Sequence, residues 1–417
     1  MLSGDFSHLK NPLYQPIYVT IHNSQLNNRS LTVSKIKVLI IDDSALIRQV
    51  LTKILNEAPD IEVVGTAADP HIAREQIKLL NPDVLTLDIE MPHMDGLAFL
   101  SNLMRLRPMP VVMVSVFTQK GADITLQALE CGAVDFISKP QIDISRTFSA
   151  YSEEILDKIR AAARANIRPS LGKKETTHKI RVAARANIRP SLGKKETTLE
   201  ITPKYTADVI LDNTSRRSHF KKTETIISIG ASTGGTEAIK ALLIQMPVQA
   251  PGIVISQHIP ASFSRSFAVR MNQLSKMTVG EAEDNQPILP GHVYIAPGDS
   301  HLLVERSHLR YLCRLHQGKP VNRHRPSVDV LFRSMAQKVG PNGIGVILTG
   351  MGDDGACGIK EMRDAGAITL AQDEHTSVVW GMPKAAINIG AIDHVLSLQR
   401  IVSKLIFLCN EVTNVKR

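Results

Sequence analysis

Short runs of β-branched residues alternate with amphipathic stretches along most of the chain, and this pattern predicts strands and helices in βαβ succession. In the first half, KVLII (Lys37–Ile41), DVLTL (Asp83–Leu87), VVMVS (Val111–Ser115) and DFIS (Asp135–Ser138) read as strands. Apolar residues at Leu97, Leu100, Leu103 and Met104 follow helical spacing. In the second half, TIISI (Thr225–Ile229), GIVIS (Gly252–Ser256), GIGVIL (Gly343–Leu348) and AITLA (Ala367–Ala371) read as strands. Helical stretches are predicted at Glu237–Met246, Ser327–Lys338 and Gly358–Asp364. The fold class is α/β: two doubly wound parallel-sheet domains, flavodoxin-like in the first half and Rossmann-like in the second. The expected layout is a loosely ordered extension over residues 1–34, a first domain over 35–150, a linker over 151–222 and a second domain over 223–417.

The linker stands out by a direct repeat. KIRAAARANIRPSLGKKETT (Lys158–Thr177) recurs as KIRVAARANIRPSLGKKETT (Lys179–Thr198), with a single Ala161/Val182 difference. Two copies are too few for a solenoid. They read as a duplicated tether, the alternative being a basic helix that docks on a partner and stops at Pro169. The net charge of +9 changes meaning once it is located. Lys158–Lys204 holds thirteen Lys/Arg against three Glu, which leaves −1 for the rest of the chain. A nucleic-acid-binding domain would carry that charge on a folded face, so no nucleic-acid partner is expected. With 43% hydrophobic and 21% charged residues over 417 positions, wholesale disorder is excluded. No run approaches eighteen apolar residues, so no membrane insertion is expected. Asp5, His8, Lys10, Pro12 and Pro16 occupy the place of a signal peptide's apolar core. Four dispersed cysteines suit neither a zinc cluster nor a disulfide framework, and the expected localisation is cytoplasmic.

Ligands of open parallel sheets bind outside the carboxyl ends of the strands. In the first domain those ends carry Asp42 and Asp43, then Asp88, then Ser115, then Lys139. Three carboxylates in one crevice repel one another unless a cation joins them, and Mg²⁺ suits oxygen ligands with positions left for phosphate. A carboxylate beside that ion, with a lysine at hand, is a competent phosphoryl acceptor. A lone Asp after a strand is often just a helix cap; the ordered set IDDS, LDIEMPHMDG, MVS and SKP is more specific.

In the second domain IISIGASTGG places Ser232 between a strand and a helix, flanked by Gly230, Gly234 and Gly235. Such a turn either exposes a nucleophile or cradles a phosphate. Two other strand ends favour the nucleophile: SQHIP brings His258, and TGMGDDGACG brings Asp353 and Asp354. A serine needs a base and the base an orienting carboxylate. The order Ser, His, Asp differs from that of α/β-hydrolases, and G-A-S-T-G-G lacks the spacing of a dinucleotide site.

The first four motifs closely resemble the receiver domain of two-component response regulators, over about residues 35–150. That resemblance implies Asp88 as phosphoacceptor, Asp42, Asp43 and Asp88 as Mg²⁺ ligands, and Ser115 and Lys139 as switch residues, with a cis Pro140. GASTGG, SQHIP, VYIAPGD, PVNRHRPSVDVLF, ILTGMGDDGA and GMPKAA, over about residues 225–395, resemble the catalytic domain of the chemotaxis protein-glutamate methylesterase family. The resemblance implies a Rossmann-like serine esterase that is activated by phosphorylation and hydrolyses glutamate γ-methyl esters on chemoreceptors. It implies further that methanol is released and that receptor glutamines are also deamidated. It implies Ser232 as nucleophile, His258 as base and Asp354 as orienting acid, with Thr233 and Met351 flanking the oxyanion and no cofactor in the esterase step. It also implies methyl-accepting chemoreceptors as substrate and a chemotaxis histidine kinase as phosphodonor. The motif alone permits Asp353; Asp354 is taken as the Asp of the family's G-x-D-G. Arg323 and Arg325 read either as substrate contacts or as solvated charges in a turn. The rival from another class is a response regulator whose second half only binds a partner or nucleic acid.

Overall fold

The runs read as strands all form strands of two parallel sheets in the computed structural model, which describes residues 34–91, 95–115, 118–139, 148–167, 204–213, 224–308 and 310–414. The first domain runs β1 (Ile36–Ile41), α1 (Ala45–Glu57), β2 (Ile61–Ala67), α2 (Pro70–Leu80), β3 (Val84–Asp88), α3 (Gly96–Leu106), β4 (Val111–Ser115), α4 (Gln119–Glu130), β5 (Asp135–Ser138) and α5 (Phe148–Ala163). Its strands pair in parallel in the order β2-β1-β3-β4-β5, the flavodoxin-like order. Every residue of β3 and β4 is buried, because helices cover both faces of the sheet. The helices start where short polar residues cap them. Ser44, Asp69, Asp95 and Thr118 each accept a hydrogen bond from a first-turn backbone N–H.

Helix α5 moves the expected boundary at residue 150. Ile155, Ile159 and Ala162 are buried beside Leu51, Leu55 and the strand residues Val112 and Val114. The Arg160 guanidinium holds both oxygens of Asp60, each at 2.8 Å. The opening residues of the first repeat copy, Lys158–Ala163, therefore complete the first domain and do not belong to a tether. Their apolar face was hidden in the sequence by an Ala-rich, basic composition. The duplication beyond Ile167, the Pro140 bond and residues 1–33 lie outside the described residues. Ile159→Ala is expected to cost the first domain about 2–5 kcal/mol through the cavity it leaves. Urea unfolding followed by a first-domain probe checks this, and an unchanged midpoint would return the segment to the linker.

The second domain runs β6 (Ile226–Ala231), α6 (Gly235–Leu243), β7 (Gly252–Gln257), α7 (Ala261–Leu274), β8 (Thr278–Glu281), β9 (His292–Ile295), β10 (His301–Ser307), β11 (Arg310–His316), α8 (Val328–Lys338), β12 (Gly343–Ile347), α9 (Ala356–Asp364), β13 (Ile368–Gln372), α10 (Met382–Asn388), β14 (His394–Leu396) and α11 (Leu398–Asn414). Seven strands pair in parallel in the order β14-β13-β12-β6-β7-β9-β8, with β10 and β11 forming a separate antiparallel hairpin. The four runs read from the sequence are the four central strands. The edge strands β8 and β14, and β9 beside β8, are three or four residues long, too short to impose a period, and escaped the pattern. The order in which strands are added switches sides at β6, with β7 on one side and β12 on the other. The carboxyl ends of these three strands therefore frame the crevice.

The side of the first domain formed by α4, β5 and α5 packs on the second. The rings of Phe136 and Phe263 lie 4.3 Å apart between centroids. Glu130 accepts hydrogen bonds from Lys240 and from Arg270. These cations outweigh the opposing effect of burial and hold its carboxyl below the usual range. Glu153 pairs with Arg323 at 3.5 Å.

Candidate active site

Ser232 stands directly after β6, and two backbone bonds hold its turn: Ser232 N–H donates to Thr349 O at 3.0 Å, and Gln257 Nε2 donates to Ser232 O at 3.0 Å. Gly234 caps α6 in the left-handed region at φ 76°, where a Cβ would also stand 2.6 Å from Val378 Cβ. Gly350 backs the serine from β12's side; a Cβ there would approach Ser232 Cβ to 2.8 Å. The glycines thus let three strand ends close on one hydroxyl.

The hydroxyl meets His258 Nδ1 at 3.2 Å, and His258 Nε2 meets Asp354 Oδ2 at 2.8 Å. For Nδ1 to accept from the serine, the ring must carry its proton on Nε2, donated to Asp354. Asp354 is buried, whereas Asp353 is exposed and pairs with Lys204 at 2.7 Å. Four more donors reach Asp354: Asn322 Nδ2 at 2.7 Å, Ser327 Oγ at 2.8 Å, Val328 N–H at 2.6 Å and Asp329 N–H at 3.3 Å. The last two are the opening N–H groups of α8, so the carboxylate caps that helix from outside it. Burial works to raise Asp354, but these donors and His258 outweigh it and hold its carboxyl well below the ordinary range. Asp329, buried and facing that charge, is pushed up. The His324 ring stacks on His258 at 3.7 Å between centroids, and burial drives it down to about 3, so it is neutral.

The other residues singled out in the sequence are placed as follows. Thr233 donates its hydroxyl to Asp135 of β5, so the first domain occupies the residue beside the serine. Lys158 fixes Asp135 from behind at 3.6 Å. Met351 is half-buried in the turn after β12. Arg323 is engaged with Glu153, and Arg325 donates to Gln317 O and Gly318 O, which fastens the turn. Neither arginine is an unengaged charge here. Asn322 and Ser327 were missed as partners of the acid, since in the sequence they read as a turn residue and a helix cap.

In the first domain, carboxylate oxygens of Asp42, Asp43 and Asp88 lie within 4.8 Å of one another. Lys139 Nζ is 2.7 Å from Asp88 Oδ2 and 3.4 Å from Asp42 Oδ2. Burial first, and then the neighbouring Asp42, raise Asp88 to about 6. Asp42 is raised too, chiefly by burial. Asp42 Oδ2 is buried and makes no hydrogen bond. A carboxylate cluster with an oxygen left over fits a small hard cation. Ser115 Oγ, at the next strand end, accepts from Thr125 Oγ1 at 2.9 Å.

The chain has relatives of known kind. A response regulator receiver domain family profile matches residues 38–150, and a CheB methylesterase family profile matches residues 227–405. A protein-glutamate methylesterase/protein-glutamine glutaminase of Hydrogenovibrio crunogenus is 54% identical over 376 residues, covering 90% of this chain and 99% of that protein. The chain belongs to this methylesterase family. A second member, from Geobacter metallireducens, is 54% identical over 375 residues, covering 90% of this chain and 96% of its own. The crystal structure of the Thermotoga maritima CheB methylesterase catalytic domain is 39% identical over 45% of this chain and all of its own, with a TM-score of 0.44. Along this chain the receiver match precedes the methylesterase match. Among the described residues no helix is long and apolar enough to cross a membrane.

Proposed function

We propose that the chain hydrolyses glutamate γ-methyl esters, and deamidates glutamines, on chemoreceptors, under control of its receiver. The observation that carries this is the contact line from Ser232 Oγ through His258 to Asp354 at the carboxyl edge of the sheet. In this reading Ser232 Oγ attacks the ester carbonyl while its proton passes to His258 Nδ1. Asp354 stabilises the imidazolium through Nε2–H. Thr233 and the Met351 backbone N–H flank the oxyanion. The tetrahedral adduct expels methanol, protonated by His258, and water then repeats the sequence on the acyl-enzyme to leave glutamate. With glutamine the leaving group is ammonia. These steps use the triad, the substrate and one water molecule.

Asp88 is the phosphoacceptor, and the phosphodonor is a chemotaxis histidine kinase. Mg²⁺ bound by Asp42, Asp43 and Asp88 would supply positive charge to the phosphoryl oxygens. Lys139 adds a second cation, and Ser115 offers a hydroxyl. Drawing Ser115 toward a phosphoryl group releases Thr125 of α4, whose far end carries Glu130 at the domain contact. Asp88→Asn is expected to abolish phosphate incorporation from acetyl phosphate with Mg²⁺ and to leave activity at its unstimulated level. Stimulation by acetyl phosphate in that variant would sink the assignment.

The receiver side of the contact inhibits by holding Thr233 through Asp135 and anchoring on Lys240 and Arg270 through Glu130. Asp135→Ala with Glu130→Ala is therefore expected to raise unphosphorylated activity about 5- to 10-fold, the range of a coupling energy of this kind. Methanol release from methylated receptor, measured without phosphodonor, reads it directly. An unchanged basal rate would remove these contacts from the control.

A further inference from the structure

Asn322 occupies an unusual place between two acids. Its Nδ2 donates to Asp329 Oδ2 at 2.6 Å and to Asp354 Oδ1 at 2.7 Å. Both acceptors are carboxylates, so the nitrogen side of the amide must face them. Asp329 in turn accepts from Gly358 N–H at 2.7 Å. Two buried carboxylates that share one neutral donor have their separation set by it, since without it their repulsion acts directly. Asp354 orients His258, so the position of the amide reaches the serine through three hydrogen bonds.

The backbone of Asn322 is held from outside the second domain's own succession of strands and helices. It lies in the left-handed region at φ 50°, followed by Arg323 at φ 69°. Asparagine tolerates that region better than most residues. Its N–H donates to Tyr205 O at 2.8 Å. Tyr205 belongs to the segment Lys204–Asn213, which lies on α8 and its neighbours. Ala207 packs with Leu303, Val321 and Val330. Arg333, almost wholly buried, donates to Asp208 at 2.7 Å and to Leu211 O at 2.9 Å. Lys204 pairs with Asp353, the neighbour of Asp354.

We propose that Asn322 is a positioning residue for Asp354, and that Lys204–Asn213 sets its backbone, so this end of the linker works as part of the esterase. The inference rests on the Ser232–His258–Asp354 reading. It changes the standing of the linker: a chain shortened or loosened before Thr206 alters the triad as well as the reach between domains.

The test uses full-length protein and steady-state methanol release. Asn322→Gly keeps the left-handed backbone and removes only the amide. It is expected to lower kcat about 10- to 100-fold, the effect of a catalytic group misplaced by less than an ångström or so, with KM nearly unchanged. Asn322→Asp, of the same shape but with acceptors in place of donors, should do no better than the glycine. Replacing residues 204–213 with ten Gly/Ser residues should lower kcat about 3- to 10-fold. Combined with Asn322→Gly it should add little, because both act through one amide. Phosphate incorporation at Asp88 should be normal in all of them, which reports a folded receiver. Wild-type kcat in Asn322→Gly, or a fall in KM and kcat together with lost thermal stability, would overturn the positioning role. Additive losses would detach the segment from Asn322. Ser232→Ala serves as the control: should it stay active, the triad reading fails and takes this one with it. Should it be inactive while Asn322→Gly is normal, this inference alone fails.

Discussion

Ser232→Ala is expected to lower kcat for ester hydrolysis by about five to six orders of magnitude, the loss seen when a triad nucleophile is removed. The fold should survive. The substitution removes one hydroxyl whose described contact is His258 Nδ1, while the backbone bonds to Thr349 and Gln257 that shape the turn remain. Alanine also fits the tight approach of Gly350, since Cβ is already present on serine. Methanol release gives the rate, and loss of covalent labelling by a fluorophosphonate probe gives the site. A variant within tenfold of the parent would take Ser232 out of the reaction. Normal stimulation by a phosphodonor in such a variant would place the chemistry elsewhere in the second domain.

Asp354→Asn is expected to cost about 10⁴ in kcat, because an amide at that place no longer stabilises the imidazolium and favours the wrong tautomer of His258. It should also cost stability, unlike the serine variant. Five donors converge on the Asp354 carboxylate. The asparagine side chain turns an NH₂ toward some of them, and each buried donor left without an acceptor costs about 1–3 kcal/mol. The sign of the pH dependence follows from the depressed carboxyl. The stability it confers is fully present above the unfolded value of about 4 and is lost as pH falls through the lower folded value. The Asn variant should therefore lose the corresponding part of acid unfolding, with its midpoint less dependent on pH in the acid range. Asp353→Asn is the comparison. Its surface pair with Lys204 is worth no more than about 1 kcal/mol, and activity should stay within a few-fold of the parent. If Asp353→Asn proved the more damaging of the two in kcat, the assignment of the acid would be reversed.

Both results depend on one feature of the fold. The acid is held by the start of α8, a helix more than ten residues upstream in sequence, and not by its own loop. This makes the carboxylate rigid and keeps it charged although it is buried. It also means that anything bearing on the turn before α8, including Asn322 and Arg323, bears on the esterase. Arg323 is held by Glu153 of α5, so the receiver touches this turn as well as Thr233.

The sequence by itself determined the two α/β domains, their order and the chemistry at their strand ends. Apolar runs such as VVMVS and GIGVI have no other stable place than the middle of a covered sheet, and the polar residue that follows each run must then emerge at the carboxyl edge. That logic puts Asp42, Asp88, Ser232 and His258 where they stand. What tertiary structure decided are matters between neighbours or across long separations. Asp353 and Asp354 are adjacent acids in a glycine-rich turn, and only the docking of α8 distinguishes the buried one from the exposed one. Lys158–Ala163 looks like basic linker because its apolar side is mostly alanine; only the groove it fills shows it to be core. Arg323 and Arg325 read either as substrate contacts or as solvated charges, and the fold sets Arg323 against Glu153 of α5 and Arg325 against the carbonyls of Gln317 and Gly318. Asn322 carries no pattern at all, since its meaning lies in two carboxylates brought to it from residues 329 and 354. Periodicity records which side of an element is buried, but it holds no record of which buried groups will face each other.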